Sequence, residues 1–537
     1  MTNGAKPPAR QSVGIGNRLE RLMANRPRAS FAVGLILLFL VLFAAYLRIS
    51  LSYPKNSDDA DFILRAQDIL SGNVLLSGWV TAPDSFYTVL LPFYVLGGLL
   101  VRNMAVLMAV VPAATYALLV VFCAVVTWAR VDRPRRFISV LIVLMLMALP
   151  CVFFYGGPPM FFYGGPPVRS QGDHKTTTFF ILIAFYLLSS SYSFALACLP
   201  LILAAIGDPF ALWIGILPAA AVGLVLLSRD DSRRGWQLTI FAVACALLAK
   251  LAEAGIRFAG GYESTPGDLR SAFVTLDGLS DNVHLLLEGV LAVFDANPFG
   301  REVFSLEAGI PLVHLGVLIF LLCVASRLYR MRTEDTFKLL LLAAMALNVI
   351  AFVVSTVPVD RGSARFLPTL TIFGPLVAAI SWYEVGLRER VAWAWVLGPF
   401  LLLSYLIPFA RELVRPVAEP PQGVIQFLEA QGFTEGYGSY WSSGILTVLS
   451  RGKVKVRQVS VGPEGKLVPL EWQSARRWYA TDQAKFLVID RMPVFGVDRF
   501  TAIRTWGVPK YEEMIDGYLI LTWPSPLHLA EGAYRPH

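Results

Sequence analysis

Charge is scarce in this sequence. Only 16% of its 537 residues are Asp, Glu, Lys or Arg, against 56% apolar residues, and the mean hydropathy is +0.59. Soluble domains carry about a quarter charged residues, so a soluble globular class is excluded and a polytopic α-helical membrane protein is indicated. Cysteine pairing is missing as well. Cys123, Cys151, Cys198, Cys245 and Cys323 lie in or at the end of apolar runs with no CxxC spacing. They read as small core side chains, with neither disulfides nor a thiolate metal site. A nucleic-acid stripe is also lacking. The net charge is +8, but the Lys and Arg collect in short loops between apolar segments, which is how membrane orientation is set. No convincing small-residue cleavage site follows the first apolar run, so that run is expected to be a retained signal anchor. Before it lies a tail carrying Lys6, Arg10, Arg18, Arg21, Arg26 and Arg28.

What is present is a series of apolar segments of the length that a ~30 Å hydrocarbon core requires. They fall near 31–51, 104–128, 137–155, 174–190, 192–207, 209–227, 236–258, 308–326, 337–357, 366–383 and 391–410, and predict about eleven transmembrane helices. With that number, the N-terminal tail and the basic loops 130–136, 229–234, 327–332 and 388–390 all fall on the cytoplasmic side. Segment 85–101 is apolar enough to enter the bilayer, yet one more crossing would invert every later loop. It is expected to be a re-entrant or juxtamembrane helix, the alternative being a twelfth crossing with a further partner. The outer face then receives residues 52–103, 156–173, the turn at Gly207-Asp208, 259–307, 358–365 and everything after about 411. Residues 280–294 read as a capped amphipathic helix lying on the membrane. Phe-Phe-Tyr-Gly-Gly-Pro-Pro occurs twice, at 153–159 and 161–167. It reads as a rigid aromatic loop at the bilayer surface or as a platform on which a lipid or a sugar stacks.

The domain reading is a basic tail over 1–30, a membrane domain over 31–410 whose first outer loop is 52–103, and a small α/β domain over 411–537. In the last, helices are expected at 422–431 and 445–450 and strands at 453–461, 485–490 and 518–523.

Chemistry-bearing residues concentrate on the outer side. Asp58, Asp59 and Asp61 follow directly on the first apolar run. Charged groups so close to hydrocarbon are expensive and need a reason to stay; the plain alternative is a solvated loop whose Asp59 or Asp61 caps a short helix. Arg169, Asp173, His174 and Lys175 lead into a span. Asp208-Pro209 opens another and reads chiefly as an N-cap followed by Pro at the first helical position. Arg361 and Arg365 open a late span, either as snorkelling anchors or as cations facing the Asp cluster. Lys250 and Glu253 have the spacing of a helical pair. Tyr440 and Trp441 offer aromatic faces, or are buried aromatics at a strand end. A carboxylate that takes a proton from an acceptor hydroxyl, cations beside a departing phosphate, and a membrane setting together describe sugar transfer from a polyprenyl phosphate at the outer leaflet.

The order of these features resembles the GT-C membrane glycosyltransferases, especially the protein O-mannosyltransferase and lipid A aminoarabinose-transferase group. The resemblance rests on Asp58-Asp59-Ala-Asp-Phe62 with Ala66 and Gly72 behind it, on Phe86–Gly98 with Pro92, on Arg169 and Asp173 before the fourth span, and on Arg365-Phe-Leu-Pro368. It covers roughly residues 30–410. The second acid of the pair is usually Glu in that family and is Asp59 here, a shorter reach by one methylene. The resemblance implies a GT-C-like fold, a lipid-phosphate sugar donor, inversion at the anomeric carbon and Asp58 as the catalytic carboxylate. Asp59 would stand beside Asp58, and Asp173 would be a second acid that orients the acceptor or joins a metal. Arg169, His174, Lys175, Arg361 and Arg365 would contact phosphate. Metal use varies within the fold class: a divalent cation is compatible with it, and the sequence shows no settled ligand set. The acceptor is a lipid, a glycan or a protein, and nucleic acid is not a partner.

Two other classes stand beside the enzyme. A transporter or flippase of a polyprenyl-linked sugar would be expected to show repeated halves and mid-membrane acids, and the chain shows no repeat of its halves. A scaffold subunit would use the soluble domain to recruit others. The expected location is a bacterial inner membrane, with the N-terminus cytoplasmic and the C-terminal domain extracytoplasmic.

Overall fold

A computed structural model describes residues 27–149, 174–190, 194–229, 231–265, 272–384, 391–490 and 494–535. It is mostly helical, with a small sheet region towards the C-terminus. The chain opens with α1 (Pro27–Leu51), α2 (Ser57–Leu70), strand β1 (Trp79–Thr81) and α3 (Leu91–Leu100). Then come α4 (Met104–Arg130), α5 (Arg136–Ala148), α6 (Lys175–Ser189), α7 (Phe194–Gly207), a π turn at Leu212–Ile216, α8 (Leu217–Leu227) and α9 (Ser232–Phe258). Strand β2 (Glu263–Ser264), α10 (Leu276–Val293), α11 (Leu306–Arg330), α12 (Thr336–Val354), a 3-10 turn at Arg361–Phe366, α13 (Pro368–Ser381) and α14 (Val391–Val414) complete this part.

Every apolar segment singled out from the sequence contains a helix of this set. Five helices among the described residues are long and apolar enough to cross a membrane: Phe31–Leu51, Met104–Arg130, Ser232–Phe258, Leu306–Arg330 and Thr336–Val354. Others, such as Lys175–Ser189, Phe194–Gly207 and Pro368–Ser381, are apolar but only 10–17 residues long. Proline accounts for one of the late starts: α13 begins at Pro368, whose ring suits a first turn but lacks the N–H that an upstream turn would need. Segment 85–101 yields only α3, ten residues and therefore about 15 Å of helix, half of a hydrocarbon core. Val41, Leu100, Leu251 and Leu322 stand exposed, as apolar side chains do when lipid is the solvent. Helices α8 and α9 cross closely, because a side chain on Gly223 would meet the Gly235 carbonyl at 2.9 Å. Cys198 and Cys245 lie on α7 and α9, the Cys245 thiol donating to the Cys198 sulfur at 3.5 Å with no disulfide between them. Cys151 and the repeated Gly-Gly-Pro-Pro stretch lie outside the described residues.

The two ends of the helical bundle differ in chemistry. At one end the basic loops meet. Arg130 pairs with Asp335 at 3.4 Å, Arg229 donates to the Thr333 carbonyl at 3.0 Å, and Arg234 donates to that of Leu188 at 3.0 Å. At the other end lie α2, the start of α6, the 3-10 turn and the C-terminal region. Helix α10 begins at Leu276 with Thr275 as its N-cap, four residues before the start expected at Ser280; the Thr275 hydroxyl accepts from Gly278 N.

The C-terminal region contains α15 (Gln422–Ala430), β3 (Glu435–Gly438), α16 (Tyr440–Leu449), β4 (Lys455–Val461), β5 (Leu467–Pro469), β6 (Ser474–Ala475), β7 (Phe486–Ile489), α17 (Arg499–Trp506), β8 (Tyr511–Ile515) and β9 (Tyr518–Thr522). A six-stranded sheet runs β5-β4-β3-β7-β9-β8, with β3 parallel to both β4 and β7 and the remaining pairs antiparallel. The chain reaches β4 on one side of β3 and later β7 on the other, so the crevice between the carboxyl ends of β3 and β7 is a topological switch point. The Glu-Gly-Tyr-Gly strand β3 has low strand propensity and was not expected. It forms because the Phe486 ring fills the space above Gly436, where an added Cβ would lie 2.5 Å from ring carbons. The helix expected at 445–450 starts earlier, at Tyr440, directly behind β3.

This region is sewn onto the stretch between α1 and α4. Strand β6 pairs antiparallel with β1, and β1 pairs parallel with β2, so one small sheet draws strands from three distant stretches. Helix α16 packs on α2, where the Ser57 hydroxyl accepts from the backbone N–H of Gly444 at 3.1 Å and of Ile445 at 3.4 Å. Asp68 at the far end of α2 accepts from Trp79 Nε1 at 2.6 Å and Asn73 at 2.7 Å and pairs with Arg477.

Candidate functional site

Helix α2 decides which acid of the cluster is available. Asn56 is its N-cap. Asp59 closes a reciprocal capping box, its carboxylate accepting from Asn56 N at 3.2 Å while Asp59 N donates to the Asn56 side chain at 3.2 Å. Asp59 is therefore turned to its own backbone. This is the plain reading of that residue, and its place beside Asp58 as a second acid is not what the geometry gives. Asp61 is held by Arg65 one turn on, and burial, with Arg65 opposing it, pushes its carboxyl up to about 7. Arg65 also donates to the Ser85 carbonyl at 2.7 Å, which ties α2 to the loop before α3.

Asp58 projects between these two. It is half-buried and accepts a short hydrogen bond from the Tyr440 hydroxyl of α16. Burial raises its carboxyl above the usual carboxylate range. The Tyr440 bond and the Arg365 charge pull it back down, while Asp84 adds to the rise. Residues far apart in sequence thus share one electrostatic site: Asp58 from α2, Asp84 from the following loop, Arg365 from the 3-10 turn before α13, and Tyr440 from the C-terminal domain.

A second group adjoins it. His174 precedes α6 with φ +55°, a left-handed conformation unusual for a non-glycine residue and one that recurs at functional sites. Its Nδ1 is 2.6 Å from Asp208 Oδ2, which also accepts from the Thr177 hydroxyl at 2.6 Å. Asp208 Oδ1 accepts from Phe210 N at 2.9 Å, so the residue caps the turn after α7 as expected and holds the imidazole as well. Because a carboxylate can only accept, Nδ1 carries the proton and Nε2 is the free nitrogen. That Nε2 is buried and has no hydrogen-bond partner among the described residues; the ring is surrounded by those of Phe86, Phe210 and Phe366, with centroids 5.7, 4.7 and 5.3 Å away. Burial raises the Asp84 carboxyl; His174 and Arg365 lower it, and Asp208 opposes them. The two carboxyl-bearing groups therefore form one continuous field, with Arg365 acting on both.

The structure brings together Asp58, Arg365, His174 and Tyr440 from the sequence-derived set, with Trp441 edge-on to Tyr440 at 4.8 Å. Lys175 is half-buried at the first position of α6. Arg361 is elsewhere: it is exposed and makes a two-pronged bond to Glu288 of α10, at 2.8 and 3.0 Å. It lines a separate cavity of about 370 Å³ with Asp295, Arg301 and Glu302. Arg365 lies four residues on in the 3-10 turn, and at three residues per turn its side chain leaves about 120° around the axis from that of Arg361. Arg169 and Asp173 lie outside the described residues. Sequence reasoning missed Asp84, which has no motif around it, and the second role of Asp208, which Pro209 disguised as a simple cap. The run of three threonines after Lys175 was the available hint, since hydroxyls at a helix start seek a carboxylate.

Lys250 and Glu253 do pair, at 2.8 Å, on an exposed face of α9. Among the described residues no group of three or more His, Cys, Asp or Glu side chains is arranged to hold a metal ion. No model of a known protein family matches the chain, and no curated protein matches it. The functional reading therefore rests on the geometry above.

Proposed function

We propose that this protein is an inverting glycosyltransferase of GT-C-like architecture. It moves a sugar from a polyprenyl-phosphate donor to an acceptor hydroxyl at the outer face of a bacterial cell membrane. In this reading the apolar helices make about eleven crossings, the basic end of the bundle is cytoplasmic, and the C-terminal domain is extracytoplasmic. The observation that carries it is the Tyr440 hydroxyl of the C-terminal region donating to Asp58, whose carboxyl also feels the charge of Arg365 from the bundle side.

The acceptor hydroxyl oxygen attacks the anomeric carbon from the face opposite the phosphate. The bond from that carbon to the phosphate oxygen breaks, its electron pair leaves with the phosphate, and the acceptor's proton passes to the Asp58 carboxylate. Arg365 supplies positive charge where the phosphate gains negative charge. The Asp208-held imidazole of His174 offers its free Nε2 to the same region. A carboxylate raised by burial is a better base than an ordinary one, provided it stays ionised, which the Tyr440 bond and Arg365 favour.

Asp58→Asn tests the proposal. The substitution keeps shape and removes the base, and a positioned general base contributes about 10²–10⁴-fold. Purified protein in lipid nanodiscs should lose transfer from polyprenyl-phosphate sugars by at least that factor while eluting as a folded monodisperse species. Undiminished sugar transfer by a folded Asp58→Asn protein removes Asp58 from the reaction.

A further inference from the structure

Four partly exposed aromatic rings and one buried ring gather where the C-terminal domain meets Asp58. Tyr440 stacks on Trp472 with centroids 5.5 Å apart and planes 12° apart. Phe495 stands edge-on to Tyr440 at 6.0 Å and to Trp472 at 5.8 Å, Trp441 is edge-on to Tyr440, and Tyr534 leans on Phe495 at 6.0 Å. Trp441, Trp472, Phe495 and Tyr534 all remain partly exposed, so the cluster is not a closed core. It sits at the switch-point crevice, at the carboxyl ends of β3 and β7, where open α/β sheets bind ligands. The indole N–H of Trp472 is buried and has no hydrogen-bond partner among the described residues, a donor left over inside the cluster.

The cluster is held in place by hydrogen bonds at the carboxyl ends of β3 and β7. Asp490, at the end of β7, accepts from the Ser439 hydroxyl at 2.6 Å, and its own N–H donates to that hydroxyl at 2.9 Å. Its carboxylate also receives backbone N–H groups of Trp441 and Ser442 at the start of α16. Phe495 has φ +57°, and its carbonyl accepts from Val461 N at 3.0 Å. The rings are thus fixed from both sides of the crevice.

We infer that this aromatic cluster is an acceptor subsite and that the acceptor is a carbohydrate chain, its terminal sugars lying on the Trp441, Trp472 and Phe495 rings with a hydroxyl directed at Asp58. This rests on the transferase reading above. The chemistry selects a sugar: aromatic faces match the C–H faces of a pyranose or furanose, the free indole N–H matches a ring or hydroxyl oxygen, and the Asp58 carboxylate matches a hydroxyl proton. A lipid acceptor would approach from the bundle helices, but these rings belong to loops and a helix start of the soluble domain.

The experiment uses the full chain in nanodiscs and saturation-transfer NMR. The probes are neutral oligosaccharides of glucose, mannose, galactose and arabinose, a Ser/Thr-rich peptide, and a short-chain phosphatidylglycerol. Expected is magnetisation transfer to an oligosaccharide that competes with none of the other probes. It should weaken about tenfold in Trp472→Ala, the loss of a ring contact and a hydrogen bond, and less in Trp472→Phe, which keeps a ring and drops the N–H. Trp472→Phe keeps the test decisive if Trp472→Ala does not fold. Contact with the peptide or the phospholipid in place of sugars, no oligosaccharide contact, or oligosaccharide contact indifferent to both substitutions overturns the inference. Donor cleavage with water as acceptor separates the two proposals. If it survives in Trp472→Ala and disappears in Asp58→Asn, a failed sugar probe counts against the acceptor subsite alone. If it is unaffected in Asp58→Asn, the transferase reading itself is at fault.

Discussion

Tyr440→Phe is the sharpest probe of the link between the two parts of the chain. It keeps the aromatic ring against Trp472 and Phe495 and removes only the hydroxyl that donates to Asp58. A hydrogen bond to a charged group is worth about 1.5–3 kcal/mol. One pKa unit corresponds to about 1.4 kcal/mol, so removal should raise the Asp58 carboxyl by about one to two units. The sign follows from which form the bond favours. The hydroxyl stabilises the carboxylate and holds its pKa down, so without it more Asp58 is protonated at any given pH and less is able to act as a base. The acidic limb of kcat/KM for donor consumption should therefore move to higher pH by that amount. Well above the limb the variant should recover to within a few-fold of the parent, because the carboxylate itself is intact. The measurement is a pH–rate series on nanodisc-embedded protein, with polyprenyl phosphate release as the readout. An acidic limb that stays where it was, or a loss of equal size at every pH, refutes the idea that Tyr440 acts through the protonation of Asp58.

Two further predictions follow from contacts on opposite sides of the molecule. Arg365→Ala should reduce donor turnover by about 10²-fold, as expected for loss of a group that stabilises developing charge. Arg361→Ala should change it less than about fivefold, because an exposed pair such as Arg361 with Glu288 contributes at most about 1 kcal/mol; equal effects of the two substitutions would show that the 3-10 turn does not separate their roles. Gly436→Ala forces a methyl to within 2.5 Å of the buried Phe486 ring. It should destabilise the C-terminal sheet by about 1–3 kcal/mol, read as a lower unfolding temperature in a tryptophan-fluorescence scan of the full chain, and an unchanged scan would mean that the ring has room to move.

The helices of the bundle were legible because apolar runs of this length have few other outcomes. Their ends were less so, since they depend on single residues such as Pro368 and Thr275. The C-terminal strands β4, β7 and β9 were visible as alternating or continuous Val, Ile and Leu runs. Strand β3 was hidden: its two glycines argue for a loop, and only the Phe486 ring explains them. In the site, the cluster of three acids was visible, but which of them meets Tyr440 was not. A capping box consumes Asp59 and an i,i+4 arginine consumes Asp61, and both depend on where α2 starts. Asp84 was illegible because its neighbours come from distant turns, and the carboxylate–imidazole pair of His174 and Asp208 was hinted at only by the threonines after Lys175.

The small sheet of β1, β2 and β6 has a bearing on how the protein matures. The stretch bearing Asp58 emerges from the ribosome early, while Ser474 and Ala475, which pair with Val80 and Trp79, are made near the end. Until those late residues have been made, the early loop lacks both its edge strand and the phenol that donates to Asp58. If the transferase proposal holds, the newly made chain would be inert during synthesis and would become competent only once its last quarter has folded back onto its beginning.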